Sequence, residues 1–348
     1  MIKVTKKATI GTISEVTGLS LATVSRALSG SEAVLPETRD KVLAAAKKLN
    51  YVRDRAAVRL KTGKTWVVAL IMDRRDVNQP AFKDLLLGVS DTLSATDYHL
   101  IVLPDAKGPD PLETLRYVVE RGLADAIVIS HIASTDVRVK YLLEKKFPFC
   151  THGRTRLPSN SRSRQKDHTA YLNHPFVDFA NEDYAAAAVS ALVARGRKKL
   201  GILLPHEGAT FRMHLIEGFL EACKAHGVKG EAVSNLDTDG SPDHIYSWAA
   251  KQAKKYDGLV ATRESILVAL MGGLSDCGLT PGRQIDVVSK RSTSMPLYMR
   301  QPVLACFEDI ALTGQLIAHN LLHQLDPAHH EASLTTLLSP PPIEVLHE

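Results

Sequence analysis

Cysteine is scarce in this chain. The 348 residues hold four, Cys150, Cys223, Cys277 and Cys306, and no two stand in a CxxC spacing. Free, mostly buried thiols in a reducing cytoplasm, where the protein is expected to work, fit this better than a disulfide framework. No run of about 18 uncharged apolar residues occurs, so no membrane span is expected. The Lys-rich start has no apolar stretch behind it, so no secretory signal is expected either. The signatures GxGxxG, GxxxxGKS/T, HExxH and GxSxG do not occur, and the histidines, His329-His330 included, lack metal-ligand spacing. Glu182-Asp183 reads as an acidic pair favoured by the dipole at a helix start, not as a catalytic pair. The chain is therefore expected to be no enzyme and to need no cofactor and no metal.

What is present is a 45% hydrophobic composition, enough for two or three domains with proper cores, and a lopsided charge. The net charge is +5, yet residues 1–62 alone carry 12 Lys/Arg against 5 acids, which is +7, and the rest of the chain carries −2. A basic head on a near-neutral body is the electrostatic footprint of a phosphate-binding module.

Three short helices are expected in the head. Thr9 caps the first, Ile10–Val16, and Gly18 supplies a permissive turn. Ser20 caps the second, Leu21–Leu28. Pro36 opens the third, which runs to Leu49. Ile13, Val16, Leu19, Val24, Leu28, Val42, Ala46 and Leu49 are the expected core.

The strings Gly18-Leu19-Ser20, Ala22-Thr23-Val24-Ser25-Arg26-Ala27-Leu28, Thr38-Arg39-Asp40-Lys41-Val42 and Leu49-Asn50-Tyr51-Val52 resemble the N-terminal helix-turn-helix domain of the LacI/GalR family of bacterial transcription regulators. The chain departs from that pattern at Leu35, where the family usually has a capping Ser, and at Thr12 and Ser14. The resemblance implies that double-stranded operator DNA is the partner. It implies that Leu21, Ala22 and Arg26 face base edges in the major groove. The chemistry agrees, since Arg can donate twice to guanine and small apolar groups meet a thymine methyl. Thr9, Ser20, Thr23, Ser25 and Asn50 offer short polar groups that suit phosphates and set register. Residues 1–53 form this domain, and 54–63 resemble the family's hinge helix. There Leu60 would wedge into the minor groove and Ala57 would pack closely against a second hinge across a homodimer.

From residue 64 to 348 short β-branched runs alternate with helical stretches, which implies parallel sheets. The alternation runs through two rounds, so two Rossmann-like lobes are expected, of the type I periplasmic-binding-protein kind. The first lobe is expected at about 64–170 and 304–326, with Val303-Leu304 returning to it, and the second at about 171–303 and 327–348. Residues 157–173 read as a long surface loop.

The family resemblance puts effector contacts in the loops after the strands: Gln79, Phe82, Ser130, His131, His152, Arg154, Arg212, Thr238, Arg263 and Arg291. Leu215 stands where the family usually has Arg. Thr262-Arg263 and Ser289-Lys290-Arg291 stand where it usually has acids. Unpaired cations in one cleft would repel one another unless an anion joined them, so a sugar acid or sugar phosphate is the expected effector. The whole reads as a dimeric (or tetrameric) DNA-binding repressor whose effector couples to operator binding with about 1–3 kcal/mol. The alternative is a solute-binding protein without a DNA role.

Overall fold

The computed structural model describes residues 8–51, 59, 60, 62–74, 79–156, 171–205, 208–234, 236, 238 and 240–347. Ala57, the hinge up to Val58 and residues 157–170 of the expected loop lie outside them. The chain divides into two compact units, Met1–Thr65 and Trp66–Glu348.

The first unit holds α1 (Ile10–Thr17), α2 (Leu21–Leu28) and α3 (Pro36–Lys48). The Thr9 hydroxyl accepts from the Thr12 amide at 3.2 Å and the Thr12 hydroxyl accepts from the Thr9 amide at 3.2 Å, a reciprocal cap. Gly18 ends α1 with φ +69, a conformation that costs glycine nothing. Ser20 caps α2 through the Thr23 amide at 3.1 Å. Leu35, standing where the resemblance expects Ser, offers α3 no side-chain cap, and Pro36 at the first turn needs none for its missing N–H. Ile13, Val24, Ala27, Val34, Val42 and Ala46 form the buried core. Val16, expected among them, is 59% exposed. The inward stripe of α1 runs through Ile13 and Thr17, and Val16 falls to one side of it.

The second unit holds two six-stranded sheets. In the order met along the chain, its first part is β1 (Val67–Met72), α4 (Pro80–Ser94), β2 (His99–Pro104), α5 (Glu113–Glu120), β3 (Ala126–Ile129), α6 (Val137–Glu144), β4 (Phe149–His152) and β5 (Phe176–Phe179). Then come α7 (Asn181–Ala194), β6 (Lys199–Leu203), α8 (Thr210–Ala225), β7 (Lys229–Val233), α9 (Pro242–Gln252), β8 (Gly258–Ala261), α10 (Leu267–Asp276), β9 (Asp286–Arg291), the short α11 (Met295–Tyr298) and β10 (Val303–Phe307). The chain closes with α12 (Ile310–Leu325), β11 (Thr335–Leu338) and β12 (Glu344–Leu346). The first sheet runs β11-β5-β4-β3-β1-β2, all parallel, and the second β12-β10-β9-β8-β6-β7, parallel except for β12.

The expected lobe boundaries need correction. β5 and β11 hydrogen-bond into the first sheet, and β10 into the second. The chain thus crosses between lobes three times, after β5, after β10 and after β11. Local periodicity marks a strand but not its partner, so the crossings could not be placed from sequence. Helix α12 does return to the first lobe, where Ile317, Ala318 and Leu321 pack with Leu85 and Val89 of α4. Gly88 and Gly314 make that approach possible: a Cβ on Gly88 would sit 2.1 Å from the Ala311 carbonyl oxygen, and one on Gly314 2.5 Å from that of Leu85.

Candidate functional site

On the first unit, Val24 and Ala27 face inward from α2. Leu21 (57% exposed), Ala22 and Arg26 occupy the outward face, with Thr23 and Ser25 half-buried at its margins. Thr9, Ser20 and Asn50 are exposed. Asn50 adopts φ +47 just past α3, and the Tyr51 amide reaches back to the Ala46 carbonyl at 2.9 Å. This αL stop turns Asn50 outward at modest cost, because Asn tolerates that region better than most residues. Leu60 is 92% exposed, and the Gly63 amide donates to the Arg59 carbonyl at 2.7 Å.

In the second unit, a cleft enclosing about 950 Å3, open solvent at its mouth included, lies between the strand ends of the two sheets. Phe82, Leu85, Ile132, Phe211 and Ile310 give it apolar walls. Gln79, Ser130, His131, His152, Arg154 and Arg263 also line it, as expected from sequence, together with Asp178, Asn181, Lys290 and Glu308. His131 stands at φ +50, edge-on to Phe211 with centroids 6.4 Å apart. Arg138 holds this loop from behind: its Nη2 donates to the Ser130 and His131 carbonyls at 3.2 and 2.9 Å and to Asp136 at 2.7 Å.

The cations of the cleft have partners. Arg154 Nε donates to Asp178 at 2.6 Å, and its Nη2 donates to both Glu182 oxygens at 3.2 and 3.3 Å. Lys290 Nζ lies 3.1 Å from Glu308 and also donates to Asn181. Arg291 donates to Glu344 at 3.1 and 3.3 Å and lies over the Phe307 ring. Arg263 donates to the Thr238 carbonyl and hydroxyl at 2.9 and 3.2 Å. Among the described residues no three metal-ligating side chains gather, and no helix is long and apolar enough to cross a membrane.

Comparison with known proteins decides the family. Residues 9–54 match the bacterial regulatory proteins of the lacI family, and residues 65–244 match the periplasmic binding proteins and sugar binding domain of the LacI family. The chain belongs to the LacI family. Residues 189–344 match a periplasmic binding protein-like domain as well. The HTH-type transcriptional regulator AglR of Rhizobium meliloti (strain 1021) is 28% identical over 285 residues, 80% of this chain and 76% of AglR. The HTH-type transcriptional regulator RafR of Escherichia coli is 31% identical over 214 residues, 61% of this chain and 60% of RafR. The lac repressor dimer bound to operator and the anti-inducer ONPF superposes with a TM-score of 0.78 at 18% identity, over 98% of this chain and 99% of that one. The protein is thus a LacI-family DNA-binding transcription regulator with a sugar-binding domain, and not an enzyme. Its DNA-binding domain removes the solute-binding alternative.

Within this LacI-family cleft some expected contacts stand back. Arg212 does not line it; its guanidinium donates to the Pro205 carbonyl. Thr238 braces Arg263 from behind, and Arg291 lines an adjoining recess. Phe211, in the first turn of α8, lines the cleft instead of Arg212. Asp178 escapes the sequence reading, although an acid inside the apolar run Phe-Val-Asp-Phe is a signal that such a reading can use. The premise of unpaired cations fails for Arg154, Lys290 and Arg291, whose acids come from β5, α7, the loop after β10 and β12, whereas Arg263 is held by the neutral Thr238. Paired charges lining an apolar slot offer donors and acceptors together, which suits hydroxyl groups better than a lone anion.

Arg154 also joins a network across the two lobes. Arg156 makes a two-pronged bond to Glu217 at 3.1 and 2.7 Å, and the Tyr171 hydroxyl meets His214 Nε2 at 2.8 Å. Burial, with the Arg154 and Arg156 cations beside it, pulls the His214 pKa down to about 3. The folded protein keeps this imidazole neutral, whereas the unfolded chain takes up its proton near the ordinary value of about 6.5. Stability is therefore held above about pH 6.5 and lost progressively as pH falls toward the folded value. Burial lowers the His174 pKa too, in the same direction. Between pH 7.5 and 5 the loss due to His214 is expected to be about 2 kcal/mol. Denaturant midpoints measured across that range will show it, and His214→Gln is expected to flatten the slope. An unchanged slope in the variant would place the loss elsewhere.

Proposed function

We propose that this protein is a cytoplasmic repressor that binds a pseudo-palindromic operator as a homodimer and responds to an uncharged saccharide in the interlobe cleft. The observation that carries the effector reading is the pairing of every cation of the cleft wall with an acceptor, next to Phe82 and Phe211. To reach Arg154 or Lys290, an anionic sugar acid or phosphate, the expectation from the Arg-rich loops, would have to displace Asp178, Glu182 or Glu308 from its partner. A neutral sugar needs no such exchange. Its C–H faces can pack on the two aromatic rings while its hydroxyls bridge donors and acceptors.

On DNA, Leu21, Ala22 and Arg26 read bases, and Thr9, Ser20, Thr23, Ser25 and Asn50 hold phosphates. Leu60, exposed and apolar, is the minor-groove wedge, with Ala57 beside it. What supports this is the outward placement of these side chains on a family-matched head. A thermal-shift panel of neutral sugars, sugar acids and sugar phosphates tests the effector reading, paired with anisotropy on a duplex selected from a random-sequence pool. A saturating neutral sugar, at 100 times its dissociation constant, is expected to add about 2.7 kcal/mol of stability and to change duplex affinity. Stabilisation by acids or phosphates alone would overturn the reading.

A further inference from the structure

The second sheet gathers positive charge at the end opposite the cleft. The cleft lies at the strand ends that carry Thr262, Arg263 and Lys290, so the starts of β6, β7, β8 and β9 form the other pole. The segments entering these strands are residues 195–199, 224–231, 251–257 and 283–286. They hold ten Lys/Arg against three acids, a local net of +7 in a chain that nets +5. Three helices also end here, α7 at Ala194, α8 at Ala225 and α9 at Gln252. Each helix C-terminus offsets about half a charge, far short of the surplus.

We propose that this pole is a second surface for duplex DNA, independent of sequence and separate from the helix-turn-helix head.

The acids of the pole are taken up by its own framework. Asp286, 2% exposed, is held by Arg195 Nε at 3.0 Å and by Arg197 Nε at 2.7 Å. Asp257 accepts from the Lys198 and Lys199 amides at 2.9 and 2.7 Å. Glu231 lies against the Tyr256 hydroxyl. By contrast Lys198, Lys199, Lys229, Lys254 and Lys255 are exposed, and none has an ion-pair partner among the described residues.

Their positions are fixed by the backbone. Lys199 and Lys229 are register partners on β6 and β7. The Lys229 amide donates to the Lys198 carbonyl at 2.9 Å, and the Asp257 amide to the Lys199 carbonyl at 3.0 Å. Lys254 and Lys255 stand on the short turn that leads into β8, the other neighbour of β6. Adjacent strands are about 4.8 Å apart, so the starts of β7, β6 and β8 span about 10 Å. A duplex carries about six phosphates over that length of its axis.

Composition selects the partner. The centre of a protein interface is rich in aromatic residues and poor in Lys. Single-stranded nucleic acid needs aromatic platforms for its bases. No aromatic or large aliphatic side chain of the four segments is exposed: Tyr256 and Ile285 are buried and Val228 is half-buried. Lysine charges on a surface without such anchors suit the phosphate rows of a duplex.

Anisotropy on the intact protein, first titrated to equivalence with unlabelled selected duplex, tests this. A labelled 20-bp duplex of random sequence is the probe. It is expected to bind at about 50 mM salt and to weaken about a hundredfold by about 200 mM, as release of about four counterions requires. Lys199→Glu with Lys229→Glu is expected to weaken this second duplex about tenfold or more and to leave selected-duplex affinity within about twofold of the parent's. Lys254→Gln with Lys255→Gln, confined to an exposed turn, is expected to lower the salt slope by about 2. Absence of a second duplex at the lower salt would overturn the proposal, as would a second duplex that neither pair of substitutions weakens. Poly-glutamate that competes as strongly as duplex at equal charge would also overturn it and assign the pole to an acidic protein.

Discussion

Arg26→Ala is expected to cost about 1–3 kcal/mol at each half-site, hence about 2–6 kcal/mol for a dimer on a two-fold operator. Two features carry this. Arg26 lies on the exposed face of α2, opposite buried Val24 and Ala27, so truncation removes no core packing. It also sits in a head of strongly positive net charge, where a guanidinium can donate twice to one guanine. The loss should be selective, with affinity for the selected duplex collapsing toward that for random duplex. Truncating Thr23 or Asn50, which bind phosphate in the proposed complex, would instead weaken both duplexes alike. Anisotropy titrations of both duplexes at two salt concentrations read the difference. The variant's melting temperature should match the parent's, since the side chain is exposed. A drop of less than about threefold in specific affinity would remove Arg26 from base recognition.

The second large effect is expected from a single methyl group. A Cβ on Gly218 would lie 2.2 Å from the Glu182 carbonyl oxygen and 2.7 Å from its Cα, both backbone atoms that no rotamer change can clear. Helices α7 and α8 must then separate, and overpacking of this kind costs about 1–3 kcal/mol or more. The damage reaches the cleft, because Glu182 holds Arg154, and Arg154 holds Asp178. Gly218→Ala is therefore expected to lower the melting temperature by about 3–10 °C and to weaken saccharide binding at the same time. Binding of selected duplex at low temperature should survive, since α2 belongs to the other compact unit. A variant that melts within about 1 °C of the parent would show that α7 and α8 do not meet so closely.

Much of the fold is written locally. The caps Thr9 and Ser20, the turn at Gly18 and the period of α2 are decided within a few residues of one another, so short-range chemistry exposes them. The alternation of apolar runs reveals the two-lobed parallel architecture for the same reason, because burial on both faces imposes continuous apolar strands. Val16 shows the limit even there: it is apolar and one position from the inward stripe, and only packing tells the two apart.

The cleft is legible in the sequence as a place but not as a chemistry. Phe82, Ser130, His131, His152, Arg154 and Arg263 are expected in it and line it. Arg154 and Lys290 look unpaired in the sequence because Asp178, Glu182 and Glu308 reach them by way of strand pairing and lobe crossings. Separation along the chain carries no information about such pairs. The sequence by itself determined the basic head with its three helices, two of them capped by side chains, the family and the alternating strands and helices, because each rests on neighbours in the chain. Only the tertiary structure decided which sheet β5, β10 and β11 join, that Gly88, Gly218 and Gly314 are points of helix contact, and that Arg154, Lys290 and Arg291 are each paired with an acid. These depend on groups brought together from distant parts of the chain, and separation along the sequence says nothing of such encounters.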